Sequence, residues 1–270
     1  MRPLPTLFVS HGAPTLAMEP GQTGARLREL GERLPRPRAV LAVSAHWESA
    51  APSVSGAARP DTIHDFYGFP PALYSIRYGA SGAPDLAERV RGCLASAGFD
   101  TGIDPKRGLD HGAWVPLLHM FPDADVPVTQ LSIQTHLGPE HHWAVGEALA
   151  PLAAEGVLIV GSGSITHNLA EFRMQPENTG EAAYVHEFRS WMAERVLAHD
   201  YAALLAYRTE APHAARAHPT DEHLLPFHVA LGAASAAARH ERWHEGVTFG
   251  VVGMDAYVFG ADRLDPGQDA

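Results

Sequence analysis

Short β-branched runs alternate along the chain with longer segments whose apolar residues recur every three or four positions. Thr6–Ser10, Ala39–Ser44, Leu73–Arg77, Val128–Ile133 and Val157–Gly161 are of the first kind, and their length and turn-rich flanks predict strands. The second kind predicts helices. Thr23–Leu34 sets Leu27, Leu30 and Leu34 on one face behind Thr23 as N-cap, and Pro84–Ala97, Pro139–Ala154, Glu181–His199 and His223–Arg239 follow the same period. Proline in the first turn supports two of those starts. Val247–Val252 and Tyr257–Gly260 predict two closing strands that could run antiparallel at a sheet edge. Alternating strand and helix predicts the α/β class.

No linker, repeat or shift in composition divides the chain, so one domain is expected over residues 1–261, with the Asp-, Gly- and Pro-rich segment 262–270 as a frayed tail. The longest irregular stretches are Trp47–Pro71 and Phe172–Gly180, a length of loop that tends to carry function. Composition narrows the chemistry. A single cysteine, Cys93, allows no internal disulfide and no cysteine-based metal site, and its helical setting reads as buried packing. The 31 acidic residues against 20 Lys and Arg leave a net charge of −11, which argues against nucleic acid as a partner. Neither a signal-peptide core nor the ~20 apolar residues of a membrane span occurs, so a cytoplasmic protein without a membrane partner is expected.

The anomaly is 17 histidines. His11 leaves the first strand in Ser10-His11-Gly12-Ala13-Pro14, His46 leaves the second in Ser44-Ala45-His46-Trp47, and His167 follows the strand at Val157 in Gly161-Ser162-Gly163-Ser164-Ile165-Thr166-His167-Asn168-Leu169. In open α/β sheets ligands bind outside the carboxyl ends of the strands, so parallel strands would bring these three together. His111, in Leu109-Asp110-His111-Gly112-Ala113-Trp114, lies in a loop before an apolar helix turn, and His223, in His218-Pro219-Thr220-Asp221-Glu222-His223, opens a helix. For each of these two, a packing role and a functional one weigh equally on pattern. A histidine cluster without cysteine suits Fe(II) or Zn²⁺ better than Ca²⁺ or Mg²⁺. His119, His141, His142, His186, His199, His213 and His218 read as surface or packing residues, His218 being the foremost exception. His240-Glu241-Arg242-Trp243-His244 matches the zinc-protease pattern, but a strand follows at once and no third ligand lies downstream. The Gly161–Gly163 turn lacks the glycines and lysine of nucleotide-binding loops, so no nucleotide or organic cofactor is expected.

Over nearly its whole length, and on the five motifs quoted above together with Pro226, the sequence resembles the class III extradiol ring-cleavage dioxygenases, in the branch of DOPA 4,5-dioxygenase. The resemblance implies a single α/β domain with a central mixed, mostly parallel sheet flanked by helices, acting on a small aromatic diol with O2 at a mononuclear Fe(II) centre, with zinc also found in this branch. It further implies His11, His46 and His223 as metal ligands, His167 as a fourth ligand or as the base that takes a substrate proton, and His111 as a second acid–base residue. Related enzymes use two histidines and a carboxylate, which makes Glu222 a rival to His223 as third ligand. Trp47, Trp114 and Tyr67 are expected either as walls for a flat ligand or as ordinary core aromatics, and Arg77 and Arg173 as anchors for an anionic one. Two other readings stand beside it: a zinc hydrolase using Glu48 or Glu222 as base, and a non-catalytic binding protein on the same fold.

Overall fold

The computed structural model describes residues 3–172, 179–234, 237 and 239–264. Ten strands occur among them: β1 Thr6–Ser10, β2 Ala39–Glu48, β3 Ser53–Ser55, β4 Gly102–Asp104, β5 Val128–Ile133, β6 Val157–Gly163, β7 His240–His244, β8 Val247–Thr248, β9 Val252–Gly253 and β10 Ala256–Phe259. Eight form one mixed sheet in the order β4-β3-β5-β2-β6-β1-β10-β7. Its centre, β5-β2-β6-β1, is parallel, and β10 and β7 close one side antiparallel. The single α/β domain with a mostly parallel mixed sheet is therefore the observed fold.

Both faces of the central strands are covered, which is why they read as unbroken apolar runs. Along β2, Val40 and Ala42 join one buried cluster while Leu41 and Val43 join the other, and Leu158 and Ile159 divide the same way on β6. Because β6 lies between β1 and β2, chains leave the sheet in opposite directions at its carboxyl end, opening a crevice there. Glycines on β6 let the segment from His223 to Pro226 lie directly on the strand. A side chain at Gly163 would begin 1.9 Å from the His223 carbonyl oxygen, and one at Gly161 would begin 2.2 Å from that of Pro226. The Ser164 amide donates to the same His223 carbonyl at 2.9 Å, fixing residue 223 over the strand end.

Several elements depart from the sequence-based expectation. Leu73–Arg77 is no strand: Pro71–Ser75 forms a 3-10 turn, because Pro70 and Pro71 preset turn geometry and the Leu73 amide bonds back to Pro70. The first helix begins at Gly21, so Thr23 lies inside it and its hydroxyl meets His244 Nε2 at 3.1 Å instead of capping. Pro151, lacking an N–H, divides the helix expected over Pro139–Ala154 into Gly138–Leu149 and Pro151–Ala154. The helix expected from His223 runs from Leu225 to Gly232, and residues 235, 236 and 238 of its forecast span lie outside the described residues. Glu181–His199 contracts to Ala183–Leu197. Val247–Val252 is a two-strand hairpin, β8 against β9, turned at Phe249 and Gly250 with φ of 54° and 69°. Of the tail expected to fray, Asp262 and Arg263 belong to the 3-10 turn Ala261–Arg263 and Leu264 is buried, while residues 265–270 lie outside the described residues. No helix among the described residues is long and apolar enough to cross a membrane.

Candidate metal centre

The crevice gathers the five motif histidines. His11 is the first residue beyond β1, and His46 lies near the end of β2. His111 opens the helix His111–Met120 behind the N-cap Asp110, whose carboxylate accepts from the Ala113 amide. His167 follows β6, and its own amide donates to Ala217. His223 stands on the β6 glycines described above. The imidazole centroids of His11 lie 4.9 Å from His46, 5.2 Å from His111 and 5.4 Å from His223, and His46 lies 4.0 Å from His111. His167 stacks face to face on His223 at 3.3 Å and 15°.

Hydrogen bonds set which nitrogen of each ring carries the proton. The Ser162 hydroxyl donates to the Gly112 carbonyl, so its oxygen accepts from His11 Nδ1, 3.0 Å away. Glu222 Oε1 accepts from His223 Nδ1 at 3.0 Å, and Asp65 Oδ2 faces His46 Nδ1 at 3.5 Å. Protons held on Nδ1 of His11 and His223 leave their Nε2 atoms as lone-pair donors, and the carboxylate facing His46 Nδ1 favours the same tautomer there. His11 Nε2 and His46 Nε2 lie 3.0 Å apart, and His223 Nε2 is buried without a hydrogen-bond partner. One coordinating atom from each of His11, His46 and His223 falls within 4.8 Å of the others. Facing lone pairs repel, and a buried unpartnered acceptor costs about 1–3 kcal/mol, so the donor set fits a cation shared by all three.

Electrostatics points the same way. Burial, reinforced by the neighbouring imidazoles, holds His11 and His223 well below the ordinary histidine range, and burial with His111 does the same to His46. Burial likewise lowers His167 to about 4, against a raising pull from Glu222. Rings kept neutral at pH 7 are in the form that binds metal or accepts a proton.

His111 and His167 sit differently from the three. Asp65 grips His111 twice, accepting from its amide at 2.9 Å and from Nδ1 at 3.0 Å. Burial opposes ionisation of Asp65, yet these bonds to His111 bring its carboxyl down to about 2. His167 falls outside the three-histidine group; its Nδ1 lies 3.8 Å from Glu222 Oε1, in a second group with Glu222 and His223. Glu222 therefore stands behind two rings and occupies the Nδ1 side of His223.

A cavity of about 530 Å³ opens over the histidines, walled by Phe66, Phe69, Leu169 and Phe172. The aromatic residues named from sequence are not among its walls. Tyr67 is 89% exposed, Trp114 is fully buried with its indole N–H on the Ile63 carbonyl, and Trp47 packs beneath the Arg107 guanidinium. Trp47 and Trp114 thus have the core role that was their alternative. Arg77 is exposed and bonds the carbonyls of Tyr74 and Ile76, away from the cavity, while Arg173 lies outside the described residues. Glu48 ends β2 at the cavity rim, where its carboxylate accepts from Thr135 at 3.0 Å.

Sequence reasoning missed Asp65, which sits in the long loop Trp47–Pro71 with no periodic or motif signal; only the loop's length marked the region. Three other histidines have packing partners: His218 Nε2 donates to Ile165 at 2.7 Å, His119 Nε2 to Leu16 at 2.9 Å, and His142 accepts from the Gln134 amide at 3.1 Å. Cys93 is buried on its helix, as expected.

Residues 5–260 match the family model described as the catalytic LigB subunit of aromatic ring-opening dioxygenase. The chain is 44% identical to the "4,5-DOPA dioxygenase extradiol" of Beta vulgaris, covering 94% of this chain and 96% of that protein. It is 37% identical to the protein of the same description from Escherichia coli K12, over 85% of each chain. Among solved structures, an uncharacterized Escherichia coli K12 protein superposes with a TM-score of 0.77 at 29% identity, covering 95% of this chain and all of that one.

Proposed function

The chain belongs to the LigB family of aromatic ring-opening dioxygenases, and on that premise we propose that its metal is held by Nε2 of His11, His46 and His223. Extradiol cleavage of an aromatic ring at a metal centre is the activity of the family and of this chain. The observation that carries the assignment is the buried, unpartnered Nε2 of His223 beside the facing Nε2 atoms of His11 and His46. We take the ion to be Fe(II), the substrate to be a small catechol cleaved with O2, and residues 1–261 to be the catalytic unit. A reducing compartment such as the cytoplasm suits an unpaired Cys93 and a ferrous ion.

When bound, a ferrous ion supplies Lewis acidity toward the diol and electrons toward dioxygen. The protein supplies proton handling and shape. His167, neutral at pH 7, accepts a proton from a catechol hydroxyl, and Glu222 near its Nδ1 stabilises the imidazolium that results. This role is favoured over a fourth ligand because His167 lies outside the three-nitrogen group. His111, its Nδ1 proton held by Asp65, exchanges protons at Nε2 with the reacting ring. Phe66, Phe69 and Phe172 flank a flat substrate and keep water from it. Glu222, engaged by His223 Nδ1, supports that ligand and does not replace it. The hydrolase alternative has no observation of its own, since neither Glu222 nor Glu48 is free of partners.

The test is oxygen uptake by metal-free protein reconstituted anaerobically with Fe(II) and given a catechol panel. Uptake coupled to a yellow ring-opened product, and lost on zinc substitution, is expected. No uptake with any catechol at stoichiometric iron overturns the reading. His167→Gln separates base from ligand: retained iron with a kcat lowered roughly 100-fold marks the base, whereas lost iron marks a ligand.

A further inference from the structure

The charge pattern of the cavity points to a preference that the reaction class leaves open. Among the described residues its lining holds three carboxylates, Glu48, Asp65 and Glu222, and neither lysine nor arginine. Two of the three are committed to rings: Asp65 to His111 and Glu222 to His223. Arg107, the cation behind Trp47, is bound to Asp110 at 2.8 Å and does not line the cavity. Glu48 alone meets the cavity without serving the histidines.

Its position suits a substrate contact. Glu48 follows His46 by two residues on β2 and both line the cavity, with Cα atoms roughly 7 Å apart along the strand. That offset is about the span from a diol held beside His46 to a nitrogen on a two-carbon side chain across the ring. The Thr135 hydroxyl fixes Oε2 at 3.0 Å, and among the described residues Oε1 accepts no hydrogen bond. The aromatic walls Phe66 and Phe69 add faces that attract a cation. The chain's net charge of −11 disfavours anions approaching the same mouth.

We propose that Glu48 is a specificity-determining residue that selects catechols bearing an ammonium group on the side chain over neutral catechols, and neutral ones over carboxylates. This rests on the ring-cleaving reading above. The experiment compares kcat/KM of the Fe(II)-loaded full chain for 2-(3,4-dihydroxyphenyl)ethylamine, 4-ethylcatechol and 3,4-dihydroxyphenylacetate. An ordering in that sequence is expected, each step roughly fivefold, the size of a partly exposed charge contact. The advantage should reside in KM and shrink at 0.5 M salt, where screening lengths fall to a few ångströms. In Glu48→Gln the ratio of ammonium to neutral substrate drops to about one, and in Glu48→Lys the order reverses toward the carboxylate. Calorimetric binding of the same three compounds to zinc-loaded protein follows the same order. A carboxylate preferred by the native chain, or an ammonium preference that survives in Glu48→Gln, overturns the proposal and leaves ring cleavage standing. Cleavage of none of the three catechols overturns the ring-cleaving reading, and this proposal with it.

Discussion

Two groups of histidines in this molecule carry metal-like signatures, and only one has the geometry of a metal site. In the crevice, His11, His46 and His223 each have a hydrogen-bond partner or a carboxylate on Nδ1 and an unprotonated Nε2 facing the others. At the sheet edge, His240 and His244 belong to the zinc-protease pattern, yet they lie on β7. Four residues of strand separate them by roughly 13 Å, where one helical turn would have set them side by side. Their Nε2 atoms are also taken: that of His240 meets the Tyr201 hydroxyl at 2.9 Å and that of His244 meets Thr23 at 3.1 Å, which leaves His240 Nδ1 buried without a partner but, among the described residues, in no group of ligand atoms close enough to share an ion. The difference lies in what stands behind each ring. A partner that takes the Nδ1 proton creates a ligand, and a partner on Nε2 turns the same residue into packing.

That contrast can be broken outright by exchanging the two groups' fates. His223→Ala should lose the metal and at least roughly 1000-fold in activity, while His240→Ala keeps metal content and ring cleavage within about twofold; metal analysis and oxygen uptake on both variants decide it. Acid tests the packing class. His142 is held down to about 3 by burial, and the Gln134 amide donates to its Nε2, so the folded state needs it neutral. The unfolded chain binds that proton below about 6.5 and the folded one does not, so its contribution is complete above pH 6.5 and is lost as pH falls toward 3. Between pH 7.5 and 4.5 the native metal-free protein should lose on the order of 3 kcal/mol more stability than His142→Gln, measured by denaturant melts. A parallel loss in both would place the acid sensitivity elsewhere.

Next in size is Asp65→Asn. With the Nδ1 proton of His111 no longer held by a carboxylate, kcat should fall 10- to 100-fold while KM changes little, and Asp65→Glu should recover part of the loss. A kcat equal to the native value would mean that His111 needs no orienting partner. Smallest is Thr23→Val, which strips His244 of its bond and should cost about 1 kcal/mol of stability with metal content unchanged. Any loss of metal there would join the edge group to the centre.

Much of this was legible because strand exits announce themselves. The apolar runs ending at Ser10, Ser44 and Gly161 locate the carboxyl edge of the sheet, and β6 between β1 and β2 turns that edge into a crevice. The motif histidines around it follow from residues adjacent in sequence. What stayed hidden depends on approach across the fold. Asp65 reaches His111 over 46 positions, and neither the spacing nor its neighbours mark it. The aromatic walls were hidden for a related reason: Trp47 and Trp114 take the core alternative and face the interior, whereas Phe66 and Phe69 come from the irregular loop after β3. The short strands β3 and β4, with three residues each, carry too few alternations to register. Leu73–Arg77 misled because apolar alternation outweighed the paired prolines in front of it.

The close seating of His223 on Gly163 sets the order of events when the protein is made. A chain emerging from its N-terminus carries His11 and His46 early, but the crevice needs β6 between their strands and residue 223 laid across its end. A nascent chain therefore lacks the third nitrogen of this set, and loading at His11, His46 and His223 waits until most of the polypeptide has been synthesised and folded. Metal capture becomes a late checkpoint: only a chain that has threaded its sixth strand between the first two can keep the ion.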